Sequence, residues 1–209
     1  MTPLLQTIDL CCERDGRILV NQLNLSVVAG NIYQVEGPNG SGKTTLLRAL
    51  CGLSSRYSGE ILWQGETIKK VRAEYFSQLL YIGHSAGVKA ALTPRENLAW
   101  HVGIKGVEND AHQVIMLALK RTGLYGYEDM PCFTLSAGQQ RRVGLARLFL
   151  GRPSLWILDE PFTAIDKQGV ADLEGWIEHY VEQGGSVILT THHELAISQT
   201  IHPIRLGDQ

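Results

Sequence analysis

Three short stretches of this chain carry residue types that can handle phosphate. The first is Gly37-Pro38-Asn39-Gly40-Ser41-Gly42-Lys43-Thr44-Thr45, whose outer glycines stand five apart and are followed by a lysine and a hydroxyl residue. That spacing fits the phosphate-loop pattern. Glycines let backbone N–H groups turn inward around phosphate oxygens, and a helix starting at the loop's end adds the positive end of its dipole. Lys43 can then reach the outer phosphates of a nucleotide, while Thr44 offers magnesium a hydroxyl ligand. The second stretch is Asp159-Glu160, closing the apolar run Leu155-Trp156-Ile157-Leu158. Magnesium takes oxygen ligands and keeps several waters, so Asp159 can hold it directly or through water. Glu160 suits the task of polarising an attacking water. Pro161 follows, so an acidic pair that merely caps a helix is the alternative, but the loop upstream favours the metal-and-water reading. The third stretch, Leu135-Ser136-Ala137-Gly138-Gln139 followed by Gln140-Arg141-Arg142, opens a helix expected to run to about Leu150. A capping serine with small residues after it exposes backbone N–H groups, a second phosphate binder.

The elements around these stretches are of the kind needed to position them. Ile32-Tyr33-Gln34-Val35-Glu36 reads as a strand entering the loop, and Leu46-Leu47-Arg48-Ala49-Leu50-Cys51 as the helix leaving it. Leu4–Leu10 and Leu23–Val28, broken by Asp15-Gly16, read as a small antiparallel sheet. Glu60–Glu66 gives a strand with a tight turn, and Leu79–Ile82 a short buried strand. Thr93-Pro94-Arg95-Glu96-Asn97 is a helix start, with Thr93 as cap and Glu96 three residues on. Val114, Leu117 and Ala118, near Met116, give a further helix its apolar stripe before Gly123. Leu155–Leu158 and Ser186–Thr190 are parallel-type strands flanking a helix at Lys167–Gln183. The expected fold is α/β: a mainly parallel sheet covered on both faces, an antiparallel N-terminal β subdomain, and a helical lobe inserted at about residues 85–150. We take residues 1–209 as a single domain.

Composition narrows the partners. No run of about eighteen apolar residues occurs, so the chain is not expected to cross a membrane by itself, and the N-terminal residues lack a secretory pattern. A net charge of −2 gives no electrostatic reason to expect nucleic acid. Cys11, Cys12, Cys51 and Cys132 show no metal-binding spacing and read as reduced cysteines of a cytoplasmic protein.

In order and spacing, these motifs resemble the ATP-binding cassette (ABC) ATPases along nearly the whole chain. Walker A corresponds to Gly37–Thr44, the signature to Leu135–Gln139, and Walker B to Leu155–Asp159 with Glu160 next. The resemblance adds a D-loop at Ala164-Ile165-Asp166 and a switch histidine at His192. It implies ATP and Mg2+ as ligands and a head-to-tail dimer, in which Ser136 and Gly138 of one copy close over ATP held by the other. Glu160 is then the catalytic carboxylate, His192 contacts the γ-phosphate, and Asp166 lies at the dimer seam. Adjacent His192-His193 is set aside as a metal pair, because neighbouring residues at a strand's end diverge.

Two positions depart from the family pattern. Where the family has a glutamine that touches magnesium, water and the membrane partner, this chain has His84. Its imidazole can accept or coordinate, which would add pH sensitivity; a surface histidine with no such part is the alternative. The family stacks adenine on an aromatic residue, but Cys11-Cys12-Glu13-Arg14-Asp15 contains none. Arg14 can stack its planar guanidinium instead, or stand as a solvated charge. A narrower resemblance rests on Tyr81-Ile82-Gly83-His84, on Leu135–Arg142, and on Trp156–Asp166. These look like the ATP-binding subunits of bacterial cytochrome c maturation (haem exporter) systems. They imply a peripheral subunit on the cytoplasmic face of the inner membrane, with an integral partner of CcmB type and other cytochrome c maturation proteins. The rival readings are the ATPase of another ABC exporter, a soluble ABC ATPase acting on DNA or ribosomes, and a phosphate-loop kinase.

Overall fold

In a computed structural model, residues 2–104 and 110–207 are described. The expected lobe and the whole-chain domain therefore include positions, 105–109 among them, that lie outside the described residues. The chain divides into two compact units.

The first unit comprises residues 1–81, 153–160 and 172–209. It opens with strand β1 (Leu5–Arg14) and strand β2 (Arg17–Val27), which pair antiparallel. Asp15 and Gly16 link them, both at positive φ (52° and 74°), the backbone of a two-residue hairpin. Both strands are longer than Leu4–Leu10 and Leu23–Val28, because this tight turn lets pairing continue to its edge. Strand β3 (Ile32–Glu36) leads into helix α1 (Lys43–Leu50). Strand β4 (Tyr57–Trp63) pairs with β1 and turns back into the short β5 (Glu66–Thr67). Helix α2 (Arg72–Ser77) precedes strand β6 (Leu79–Ile82). Strand β7 (Leu155–Asp159) and strand β8 (Ser186–Thr190) are buried at every position. Strand β9 (Ile201–Arg205) closes the sheet.

The antiparallel sheet runs β2-β1-β4-β5, and the second sheet runs β6-β7-β8-β3-β9. In the latter, β7, β8, β3 and β9 are mutually parallel. The sequence suggested neither α2 nor β9. Of α2's six residues only Tyr75 is buried, so it has no stripe to read, and β9 contains Pro203, which only an edge strand tolerates. One apolar core joins Leu5, Leu10 and Trp63 of the antiparallel sheet to Leu46 and Leu50 of α1 and to Leu155, Ile157 and Ile188 of the parallel one.

The second unit comprises residues 82–152 and 161–171. It holds helix α3 (Pro94–Ile104), helix α4 (Ala111–Arg121) and helix α5 (Ala137–Leu145), whose last turn tightens into a 3-10 turn at Ala146–Phe149. Thr93 and Glu96 cap α3 reciprocally: the Glu96 N–H donates to Thr93 Oγ1 (3.2 Å) and the Thr93 N–H donates to Glu96 Oε2 (2.9 Å). The stripe on α4 is rotated from the expected one. Ile115, Ala118 and Leu119 are buried, whereas Leu117 stays exposed, since i, i+3, i+4 spacing fits two neighbouring faces of this helix. Leu98, Val102, Leu124, Cys132 and Val143 complete this core. Helix α6 (Lys167–Glu182) begins here, and its residues from Asp172 on belong to the first unit.

Candidate functional site

The carboxyl ends of β3, β7 and β8 carry the residues singled out above. At the end of β3 the loop leaves Glu36 and turns through Gly37 (φ 147°), Gly40 (φ 86°) and Gly42 (φ 99°). Two of these positions admit glycine alone. A Cβ on Gly37 would stand 2.6 Å from the Leu206 carbonyl oxygen and 2.6 Å from Ser41 Oγ. A Cβ on Gly42 would stand 2.8 Å from the Leu19 side chain. Leu19 on β2 and Leu206 after β9 therefore shape the loop, although no local signal in the sequence marked either.

The loop's chemistry suits an anion. Gly42 caps α1 in the left-handed conformation with no side-chain hydrogen bond, so the helix's first N–H groups depend on something outside it. Ser41 Oγ is buried and without a hydrogen-bond partner among the described residues. Lys43 Nζ donates to the carbonyls of Gly37 (2.7 Å) and Pro38 (3.2 Å), which keeps the ammonium over the loop. Free donors, a buried hydroxyl and a folded-back cation fit a nucleotide's phosphates.

Asp159 ends β7 almost wholly buried, in register with Thr190 of β8. Thr190 Oγ1 donates to Asp159 Oδ1 at 2.8 Å and accepts the Glu160 N–H at 2.9 Å. Glu160 adopts φ +50°, a left-handed backbone uncommon for a residue with a side chain. Its carboxylate Oε1 lies 3.6 Å from His192 Nε2. The structure thus brings Glu160 and His192 together beside Asp159. The segment beyond His192 is tied down by α6: Glu174 accepts from the Ala196 N–H (2.8 Å) and meets His193 Nε2 (3.2 Å), and Glu178 accepts from the Ser198 N–H (2.7 Å). His193 is paired with that carboxylate, apart from His192's. No group of three or more His, Cys, Asp or Glu side chains that could hold a metal ion occurs among the described residues.

Arg14 lies beside the hairpin turn, exposed, with Nε 3.5 Å from Asp15. Strand β8 separates β3 from β7, so the phosphate loop and Asp159 leave from two strands flanking a common neighbour.

The second unit carries the remaining residues. Ser136 caps α5 in a full capping box: the Gln139 N–H donates to Ser136 Oγ (3.2 Å) and the Ser136 N–H to Gln139 Oε1 (2.9 Å). Ala137 is exposed, and Leu135 is buried. A Cβ on Gly138 would meet the Ala164 carbonyl at 3.1 Å. Asp166 caps α6, accepting from the Gly169 N–H (2.8 Å) and from Arg142 Nη2 (2.8 Å). Those two bonds, the backbone one first, hold its carboxyl below the usual carboxylate range. His84 is exposed, and buried Arg141 donates to its carbonyl (3.2 Å), to that of Gly83 (3.2 Å) and to that of Pro161 (3.3 Å).

A loop of this kind, followed by the capped helix and by the Asp-Glu strand end, defines a class, and comparison with known proteins identifies it. Residues 20–163 match the model of the ABC transporter family. The chain belongs to that family of ATP-binding proteins. It is 53% identical over 207 residues to the cytochrome c biogenesis ATP-binding export protein CcmA of Hahella chejuensis (strain KCTC 2396), covering 99% of this chain and 97% of that one. It is 50% identical to the protein of the same name from Aliivibrio fischeri (strain ATCC 700601 / ES114), covering 98% of this chain and all of the relative. Among solved structures, an ABC transporter ATP-binding protein of Pyrococcus furiosus superposes with a TM-score of 0.81 at 26% identity, covering 97% of this chain and 96% of that one. The cbiO1 protein of Clostridium perfringens, part of the ABC transporter complex cbiONQ, gives 0.75 at 26% identity over 94% of this chain and 81% of its own.

Proposed function

We propose that this chain is the ATP-hydrolysing, energy-coupling subunit of a membrane transport complex serving c-type cytochrome biogenesis. It powers haem export or the release of a haem-loaded chaperone. Near-full-length identity of about half to proteins named for that export supports the pathway. Support for the chemistry comes from Glu160, 3.6 Å from His192 and next to buried Asp159.

Each residue's part follows from its surroundings. The N–H groups of Gly40, Ser41, Gly42, Lys43, Thr44 and Thr45, with the chain at Gly37-Pro38-Asn39, cradle the phosphates. Lys43 exchanges carbonyl acceptors for phosphate oxygens, and hydrogen bonds between charged partners are roughly twice as strong as neutral ones. Thr44 and Asp159 would hold Mg2+, with His84 in the family glutamine's place, and the ion bound there would supply charge neutralisation at the outer phosphates. Glu160 orients the attacking water, and His192 contacts the γ-phosphate. Arg14 stacks on adenine; leaving Asp15 costs at most about 1 kcal/mol, as for exposed ion pairs generally. A second copy supplies Leu135, Ser136, Ala137, Gly138 and Gln139 across the nucleotide, with Asp166 at the seam. The single domain spans 1–209, with its helical subdomain at about 85–150.

No helix among the described residues is long and apolar enough to cross a membrane. In this reading the chain docks on the cytoplasmic face of the bacterial inner membrane, on an integral subunit of CcmB type. Nucleic acid has no part in it. The test is ATP hydrolysis by the chain reconstituted with its integral partner. Glu160→Gln is expected to lower kcat at least ~100-fold, the lower end for general acid–base catalysis, while ATP still binds. An unchanged rate removes Glu160 from the role. A co-purifying integral protein unrelated to cytochrome maturation would overturn the pathway and leave the ATPase standing.

A further inference from the structure

We infer that Thr190 is a positioning residue of the hydrolytic site, whose single hydroxyl sets both the Asp159 carboxylate and the Glu160 main chain. The inference rests on the ATPase reading above.

Thr190 is completely buried at the end of β8. A threonine hydroxyl has one proton to give and lone pairs to accept with. A carboxylate can only accept and an amide N–H can only donate, so both directions are fixed. The Glu160 N–H donates to Thr190 Oγ1 (2.9 Å), and that hydroxyl donates to Asp159 Oδ1 (2.8 Å). The relay polarises along its length, each bond strengthening the other.

Two consequences follow for the chemistry. The carboxylate of Asp159 is pinned in one orientation by a donor from the neighbouring strand, in the register that pairs Asp159 with Thr190. Glu160, at φ +50°, is anchored through its N–H in a conformation that a residue with a side chain seldom adopts unaided. That conformation sends its carboxylate toward His192, two residues beyond Thr190 on the same chain. One hydroxyl on the strand beside β3 therefore fixes the metal-side carboxylate and aims the water-side one. Valine would fill the same space and break both bonds; serine would keep both.

The experiment compares wild type with Thr190→Val, Thr190→Ser, Thr190→Cys and Glu160→Gln, each reconstituted with the integral partner. The readouts are kcat, KM for ATP, the Mg2+ concentration giving half-maximal rate, and binding of a fluorescent ATP analogue. Thr190→Val is expected to lose at least ~30-fold in kcat with KM within about threefold, the pattern of a lost transition-state interaction. Its Mg2+ requirement should rise, whereas Thr190→Ser should return to within about threefold of wild type on every readout. A merely structural loss would lower the amount of active protein, seen as a smaller fraction binding the fluorescent analogue, and leave the Mg2+ requirement of the remainder unchanged. If Thr190→Val does not fold, the serine and cysteine variants carry the comparison, with serine near wild type and cysteine as slow as expected for valine. A valine variant at wild-type kcat overturns the inference, as does a serine variant as slow as valine or cysteine. Wild type hydrolysing no faster than Glu160→Gln would refute the ATPase reading first and this inference with it.

Discussion

The chain contains two phosphate-type helix starts that solve the same problem in opposite ways. Every α-helix leaves its first four N–H groups without intrahelical partners. At α5 the chain meets part of this need itself, with the Gln139 N–H held by the Ser136 hydroxyl in a reciprocal capping box. At α1 it does not: Gly42 offers no side chain, and Lys43 covers carbonyls rather than N–H groups. An anion arriving at the phosphate loop draws Lys43 away from the Gly37 and Pro38 carbonyls and meets helix N–H groups that no side chain caps. At Ser136 the hydroxyl oxygen already accepts the Gln139 N–H and keeps its proton to donate, so an anion there gains one hydroxyl donor but not the Gln139 N–H. On the proposed reading, affinity for the nucleotide resides in the phosphate loop, and the signature contributes when a second copy closes.

The largest effect that could break this contrast is on Gly37. Gly37→Ala places a methyl 2.6 Å from the Leu206 carbonyl and from Ser41 Oγ, so the loop must open. ATP affinity of the isolated chain, followed with a fluorescent analogue, should fall at least ~100-fold, equivalent to about 2.7 kcal/mol. A change under threefold would show that the cradle is not where affinity resides. The intermediate effect is on Ser136. Ser136→Ala removes the cap and should cost about 1 kcal/mol of stability. Thermal unfolding should register that as roughly 2–4 °C in Tm for a chain of this size. ATP affinity of the isolated chain should not move. If Ser136→Ala weakened binding as Gly37→Ala does, the two helix starts would not differ as described.

The smallest effect concerns a third helix start, that of α6, where the cap is charged. Gly169's N–H and then Arg142 hold the Asp166 carboxyl below its ordinary value of 3.8. A carboxyl depressed on folding adds stability that is complete above its unfolded pKa and is lost as pH falls through the folded one. Acidification from about pH 5 to below pH 4 should therefore cost wild type more stability than Asp166→Asn, measured by urea unfolding at each pH. Parallel pH profiles would show that the capping bonds contribute nothing through charge.

What could be read from the chain was whatever depends on neighbours in sequence. The phosphate loop, the Ser136 cap and the strand ending in Asp159-Glu160 are local patterns, and so were the two buried strands β7 and β8. The rest depends on register and on which strands lie side by side. Thr190 looked like one more β-branched residue in an apolar strand until its pairing with Asp159 gave it a partner. Leu206, just after β9, and Leu19 on β2 shape the glycine loop, and neither is near it in sequence. Strand β9 itself was masked by Pro203, and α4 turned a different face inward because Leu117 and Leu119 satisfy the same spacing. His84 and Arg14 show the converse. Family resemblance, not a local pattern, suggested roles for both; each is exposed, with the His84 carbonyl accepting from Arg141 and the Arg14 side chain beside Asp15.

The claim that each copy completes its neighbour's pocket is tested most directly at Ala137. It is exposed beside the capping serine and takes no part in the Ser136–Gln139 bonds. The measurement is the ATPase rate of Ala137→Trp reconstituted with the integral partner, alongside ATP binding by the isolated variant. The account predicts a rate at least ~10-fold below wild type, about 1.4 kcal/mol, with binding unchanged. A wild-type rate with that bulk on the signature face would contradict it.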